Sequence, residues 1–233
     1  HSRYLDAPRG APAAHLPPTA HVLFLQNHDQ IGNRAFGERL TVLADRAALE
    51  AAIALLLLCP QIPLLFMGEE TASRSPFLFF TDHGPELADA VREGRRNEFA
   101  RFADFADPQK RERIPDPNAV ATFQASLPLP DPEHGAAREA LYRQLIALRM
   151  QEIVPRLDGA RSLGARTIGP KAVTAAWQLG GDRPAGMLTL ATNLDTAPVP
   201  FTPPRGRLLF ANRELTPGGL PGHTTAGLLD SSP

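Results

Sequence analysis

With 233 residues, 43% of them hydrophobic, the chain is long enough for one sizeable core or for a large domain joined to a small one. Its 24 Lys and Arg balance 25 Asp and Glu, and the net charge of −1 removes any electrostatic reason to expect nucleic acid or an anionic membrane as partner. The single cysteine, Cys59, excludes an intrachain disulfide, and its setting in "ALLLLCP" is that of a small buried hydrophobe rather than a ligand or nucleophile.

The first 20 residues lack the basic start, apolar middle and small-residue cleavage site of a signal peptide. The longest apolar run, residues 51–59, is too short to span a bilayer, so a soluble protein of the cytoplasm is expected. Residues 21–26 contain "VLFL" without polar alternation, the pattern of a parallel strand buried on both faces. Residues 41–58 carry Asp45 near their start and Ala48, Ala52, Leu55 and Leu56 at helical spacing, and turn apolar all round by "IALLLL". That pattern predicts a helix covered on most sides. Pro60 ends it, and residues 62–67, "IPLLFM", predict a second buried strand that runs into Gly68, Glu69 and Glu70.

A strand, helix and parallel strand joined by a right-handed crossover place both strand ends on one side. The polar stretches "QNHDQ", residues 26–30, and "GEE", residues 68–70, should therefore meet across a common cleft. Asp29 there is either a catalytic or binding carboxylate or a turn cap, and the two glutamates are either part of a site or an exposed loop. His28 either bonds a substrate hydroxyl or holds Asp29 or a backbone carbonyl in place.

Residues 71–105 are loop-rich and aromatic, with Phe77, Phe79, Phe80, Phe99, Phe102 and Phe105 available to pack the loop or to stack on a flat ligand. Residues 86–101 predict a helix whose Arg92, Arg95, Arg96 and Arg101 alternate with Glu86, Asp89, Glu93 and Glu98. That is a solvated, salt-bridged face rather than a nucleic-acid patch. The proline-rich residues 107–133 should be irregular, closing a surface excursion over 71–135. Residues 136–150 restore helical periodicity, with Leu141, Leu145 and Leu148 on one stripe and Arg138, Arg143 and Arg149 elsewhere.

After Pro155 the pattern changes to "AVTAAWQL", "GMLTLATNL", "RGRLLFA" and "TTAGLLD", separated by Gly-Asp, Pro-Pro and Pro-Gly-Gly turns, so a small antiparallel domain is expected over 159–233. Trp177 is a core residue or a sugar platform, and core is the ordinary outcome for one aromatic in a strand. No zinc-spaced Cys or His cluster, phosphate-cradling Gly-rich loop or Gly-x-Ser-x-Gly elbow occurs, which removes metal hydrolases, P-loop enzymes and the usual serine esterases.

"FLQNHDQIGNR" resembles the last short signature region of the α-amylase superfamily, glycoside hydrolase family 13. Together with "AFGERL", "PLLFMGEE", "SPFLFFTDH" and "VREGRRNEFARF", it is similar to the trehalose-releasing branch of that family over residues 15–200. The resemblance implies an α/β fold. Residues 1–158 would be the C-terminal part of a (β/α)8 TIM barrel, its last two strands and helices, and 159–233 an antiparallel β-sandwich domain. The implied activity is retaining hydrolysis of the α-1,4-glucosidic bond next to the trehalose end of maltooligosyltrehalose, with no cofactor and no catalytic metal. Asp29 would be the transition-state stabiliser, and Asn27, His28, Gln30 and Glu70 would bind substrate.

The implied partners are a maltooligosaccharide or trehalose-terminated α-glucan and the N-terminal barrel portion, with neither nucleic acid nor membrane. The motifs that carry the family's nucleophile and general acid do not occur in these 233 residues, so the chain alone is expected to be inactive. A glycogen branching enzyme or another family 13 α-glucan enzyme is the alternative, although branching enzymes resemble Ser-His-Asp-Glu where this chain has Gln26 and Asn27 before His28 and Gln30 after Asp29. A non-catalytic carbohydrate-binding or scaffold module is the other.

Overall fold

In the computed structural model, which describes Asp6 and residues 11–100, 102–180 and 186–231, the strand expected over 21–26 shortens to β1, Val22–Leu23. It is followed by α1, His28–Gly32, α2, Leu40–Leu43, α3, Arg46–Leu58, and β2, Ile62–Pro63. β1 and β2 pair in parallel, Val22 opposite Ile62 and Leu23 opposite Pro63, and form a sheet of two strands. Neither is buried as expected: Val22 is 53% and Ile62 45% exposed. The physical reason is sheet width, because an apolar run suited to cover on both faces here has one hydrogen-bonded neighbour. Pro63 also brings no N–H to the ladder.

The expected helix over 41–58 is divided in two. Asp45 Oδ1 accepts the Ala48 N–H at 3.0 Å, a side-chain cap that starts α3 afresh. The chain forms two compact units, one of His1–Leu23, Glu50–Leu64 and Leu145–Pro233, the other of Phe24–Leu49 and Leu65–Gln144.

The first unit is built on β3, Arg161–Gly169, β4, Ala172–Gln178, and β5, Met187–Asn193, with β6, Val199–Pro200, β7, Arg207–Ala211, β8, Gly219–Leu220, and β9, Thr224–Asp230, following. The five longer strands lie in the order β3-β4-β5-β9-β7, every pairing antiparallel, while β6 and β8 pair separately. The four apolar runs correspond to β4, β5, β7 and β9. β3 carried no such signal, because it is an edge strand with seven exposed residues and glycines at 164 and 169. The Gly-Asp turn falls within residues 181–185, outside the described residues.

The central strands β5 and β9 are buried on both faces. Ala191, Ala226 and Leu228 pack with Val199, Phe201 and Leu220 on one face. On the other, Thr225 Oγ1 donates to the carbonyl of Ala51 in α3 at 2.7 Å, and a Cβ at Gly227 would lie 3.4 Å from Leu58. Trp177 is buried in β4 and belongs to the core.

α7, Gly135–Leu148, continues through a π-helical turn, Arg149–Ile153. Its buried positions are Gly135, Arg138, Tyr142, Leu145 and Arg149 rather than a stripe of leucines. Two arginines expected elsewhere thus face inward. The guanidinium of Arg149 explains its own case by donating to the carbonyls of Leu57, Cys59, Pro60 and Gln61, where α3 ends. The Cys59 thiol beside it is buried, and burial pushes its pKa up to about 12 against the opposing charge of Arg149.

In the second unit, α4, Pro85–Phe99, carries the expected ion pairs: Arg92 with Asp89 and Asp116, Arg96 with Glu93, and Arg95 with Glu98. Arg95 departs from that solvated face and is buried, and Arg101 lies outside the described residues. The proline-rich stretch is not wholly irregular. It holds α5, Pro108–Glu112, with Asp107 as its cap, and α6, Val120–Ala125. Among the described residues no helix is long and apolar enough to cross a membrane.

Candidate functional site

The site is built on α1. Asn27 has an extended backbone, and its Oδ1 accepts the Gln30 N–H at 2.9 Å, so it caps the helix that starts at His28. Ile31 and Gly32 are buried, which leaves His28, Asp29 and Gln30 on the open side. His28 Nε2 lies 3.2 Å from Asp29 Oδ1, with these side chains 69% and 72% exposed. An imidazole and a carboxylate held this close and open to solvent can accept from, and donate to, neighbouring ligand hydroxyls.

A five-residue helix has no stability of its own and must be held by tertiary bonds. Both ends of α1 are held. Before it, the buried Gln26 accepts the Leu40 N–H on Oε1 at 3.1 Å, and its Nε2 donates to Glu69 Oε2 at 3.2 Å. Tyr142 Oη donates to the other oxygen, Glu69 Oε1, at 3.1 Å. At the far end, Arg95 Nη2 donates to the carbonyls of Gly32 and Arg34, with its guanidinium 4.7 Å from the ring centroid of Phe99 and 5.0 Å from that of Phe79.

Glu69 reaches this position through Gly68, whose φ of +86° lies in the left-handed region. A Cβ there would stand 2.7 Å from that of Pro128. Gly68→Ala is expected to cost about 1–3 kcal/mol, from strain and overpacking together. Urea midpoints would show it, and an unchanged midpoint would contradict it. Arg39, fully buried, fixes the same turn by donating to the carbonyls of Met67 and Ser75, each at 2.7 Å, while lying 5.2 Å over Phe66. Burial lowers the pKa of Arg39, and the charges of Glu69 and Glu70 oppose that shift.

Burial raises the Glu69 carboxyl above its ordinary value of 4.5, against the hydrogen bonds from Gln26 and Tyr142, and the charge of Glu70 adds to the rise. A raised folded-state value gives a contribution that is complete below the ordinary value and fades as pH climbs through the folded one. The stability of the native protein relative to Glu69→Gln should therefore fall as pH is raised from below 4.5 to neutrality. Urea titrations of both proteins across that range test this, and a difference that does not change with pH would refute it.

Of the residues singled out in the sequence, the structure directly joins the two polar stretches through Gln26 and Glu69. His28, Asp29 and Gln30 are exposed, Asn27 is the helix cap, and Glu70 is half-buried. Sequence reasoning weighed Glu69 and Glu70 as a pair but kept only Glu70 as a substrate contact, set Arg95 on a solvated face, and passed over Tyr142 and Arg39. The left-handed glycine before Glu69 was the one local signal that this carboxylate turns inward; the arginines and the tyrosine had none. Among the described residues, no group of three or more His, Cys, Asp or Glu side chains is placed to hold a metal ion.

A protein from Salmonella typhimurium provisionally assigned as an α-amylase superposes with a TM-score of 0.83 at 41% identity, over 96% of this chain and 37% of that one. A trehalulose synthase mutant superposes at 0.51 with 15% identity, over 89% of this chain and 43% of that one, and speaks for the fold alone. The fold is therefore one shared with α-amylase-like enzymes. A family described as a domain of unknown function, DUF3459, matches residues 160–227.

The sequence relationship is narrower: the chain is a homologue of the malto-oligosyltrehalose trehalohydrolases. It is 43% identical to the one from Arthrobacter ramosus over 169 residues, 68% of this chain and 28% of the relative. It is 38% identical to the one from Deinococcus radiodurans over 214 residues, 86% of this chain and 34% of the relative. The chain thus spans about a third of the length of these curated relatives.

Proposed function

We propose that this chain is part of a retaining glycoside hydrolase that releases trehalose from maltooligosyltrehalose by hydrolysing the adjacent α-1,4-glucosidic bond. The observation that carries this is the 38–43% identity to enzymes of that name. In this proposal residues 1–158 are the C-terminal part of a (β/α)8 barrel and 159–233 its β domain. The open β1–β2 pair supports the first assignment, since strands of that composition normally have neighbours on both sides.

Hydrolysis with retention needs a nucleophilic carboxylate and a general acid about 5–5.5 Å apart. Both are assigned to a part of the barrel supplied from outside these 233 residues. Asp29 would then hydrogen-bond the sugar hydroxyls more strongly in the oxocarbenium-like transition state than in the ground state, which lowers the barrier. His28 would bind a hydroxyl of the same sugar. Gln30 and Glu70 would make outer contacts, and Asn27, whose oxygen is engaged in the cap, would offer its amide N–H groups.

A chimera in which this chain replaces the matching segment of the Deinococcus enzyme is expected to release trehalose from maltooligosyltrehalose, and the chain alone is expected not to. An inactive but folded chimera would refute the assignment. Turnover by the chain alone would refute the view that the nucleophile and acid lie elsewhere.

A further inference from the structure

A cavity in the same unit as α1, about 610 Å³ in volume, is lined by residues other than the exposed His28, Asp29 and Gln30. That volume lies in the range of small-molecule sites. Its floor is aromatic: Phe99 is buried, Phe36 and Phe105 are half-buried, and Phe102 is 44% exposed. The rings lean on one another at 39°, 43° and 54°, with centroids 5.4 to 5.9 Å apart. Rings tilted in this way make a curved floor instead of a parallel-walled slot. Such a floor follows the C–H face of a puckered pyranose better than it sandwiches a planar base.

The rim is cationic. Lys110 and Arg113 stand three residues apart at the end of α5, hence on one side of it, and neither has an ion-pair partner among the described residues. Two further cations nearby, among the described residues, are engaged. Arg34 Nε pairs with Glu38 Oε2 at 3.0 Å, and Arg111 donates to the carbonyls of Phe105 and Ala106 at 2.8 and 2.9 Å. Among the described residues, the pocket therefore sets two positive charges without an ion-pair partner over a hydrophobic, aromatic floor. A neutral sugar would have no use for that pair, whereas a phosphate ester accepts from both cations in charge-assisted bonds.

We infer that this pocket binds a phosphorylated sugar, its ring against Phe102 and its phosphate between Lys110 and Arg113, with the Arg34–Glu38 pair and Asn33 facing the hydroxyls. The site goes beyond the proposed hydrolysis and does not depend on it, because binding is read on this chain without turnover.

Calorimetric titration of the chain at low ionic strength, with glucose 6-phosphate, glucose, inorganic phosphate and AMP as separate probes, tests the inference. Glucose 6-phosphate should bind about ten-fold or more tightly than either glucose or inorganic phosphate, and more weakly as salt is added. Phe102→Ala, and Lys110→Ala combined with Arg113→Ala, should each weaken it by about ten-fold, the cation pair with the melting temperature unchanged. Lys110→Glu with Arg113→Glu, also at exposed positions, should abolish it. Absence of glucose 6-phosphate binding would overturn the inference, as would inorganic phosphate binding as tightly, AMP binding more tightly, or affinity indifferent to these substitutions.

Discussion

Asp29→Asn is expected to lower trehalose release by the chimera on the order of 10³-fold, with kcat falling far more than KM rises. The amide keeps the size and most of the hydrogen-bonding shape of the carboxylate but not its charge, so the loss falls on the transition state, where positive charge develops on the sugar. The substitution should leave the fold intact. The Asp29 side chain is largely exposed and the helix cap is made by Asn27, so the melting temperature should not move. An Asp29→Asn chimera that kept its rate within about ten-fold would remove Asp29 from the catalytic machinery and with it the main functional content of the "NHDQ" motif.

The second large effect is on stability. Arg149→Met keeps an apolar stem of similar length and removes the guanidinium that serves the carbonyls of Leu57, Cys59, Pro60 and Gln61. Each buried acceptor left without a donor costs about 1–3 kcal/mol, so a loss of about 3 kcal/mol or more is expected from several together. Arg149→Lys should recover part of that, since an ammonium has three donors but not the planar fork that reaches carbonyls on both sides. Urea denaturation of the three proteins decides it. If Arg149→Met stayed within about 1 kcal/mol of the native protein, the end of α3 would have to be satisfied by water instead.

The arginines mark the limit of what the sequence disclosed. Periodicity placed α4 and α7 within two residues of their observed bounds, and alternation with turn signals placed β4, β5, β7 and β9, because each of those patterns is local. What periodicity could not show is that Arg39, Arg95 and Arg149 point inward, each toward backbone carbonyls 28 or more residues away in the chain. A buried guanidinium is set by tertiary geometry, and its residue type argues the other way. The same holds for Glu69, which took its place through a left-handed glycine and partners at positions 26 and 142. The convergence of the two polar stretches was legible in the sequence. The buried bond that joins them was not.

The end of α3 also gives the protein an internal chemical clock. With burial pushing its pKa up to about 12, the Cys59 thiol is held in its unreactive protonated form at neutral pH, and it is closed to solvent as well. A maleimide can therefore react there only in molecules whose helix end has opened, and with one cysteine in the chain every labelled molecule reports that single event. The labelling rate, followed by mass without any introduced probe, counts the openings of the segment that Arg149 holds shut.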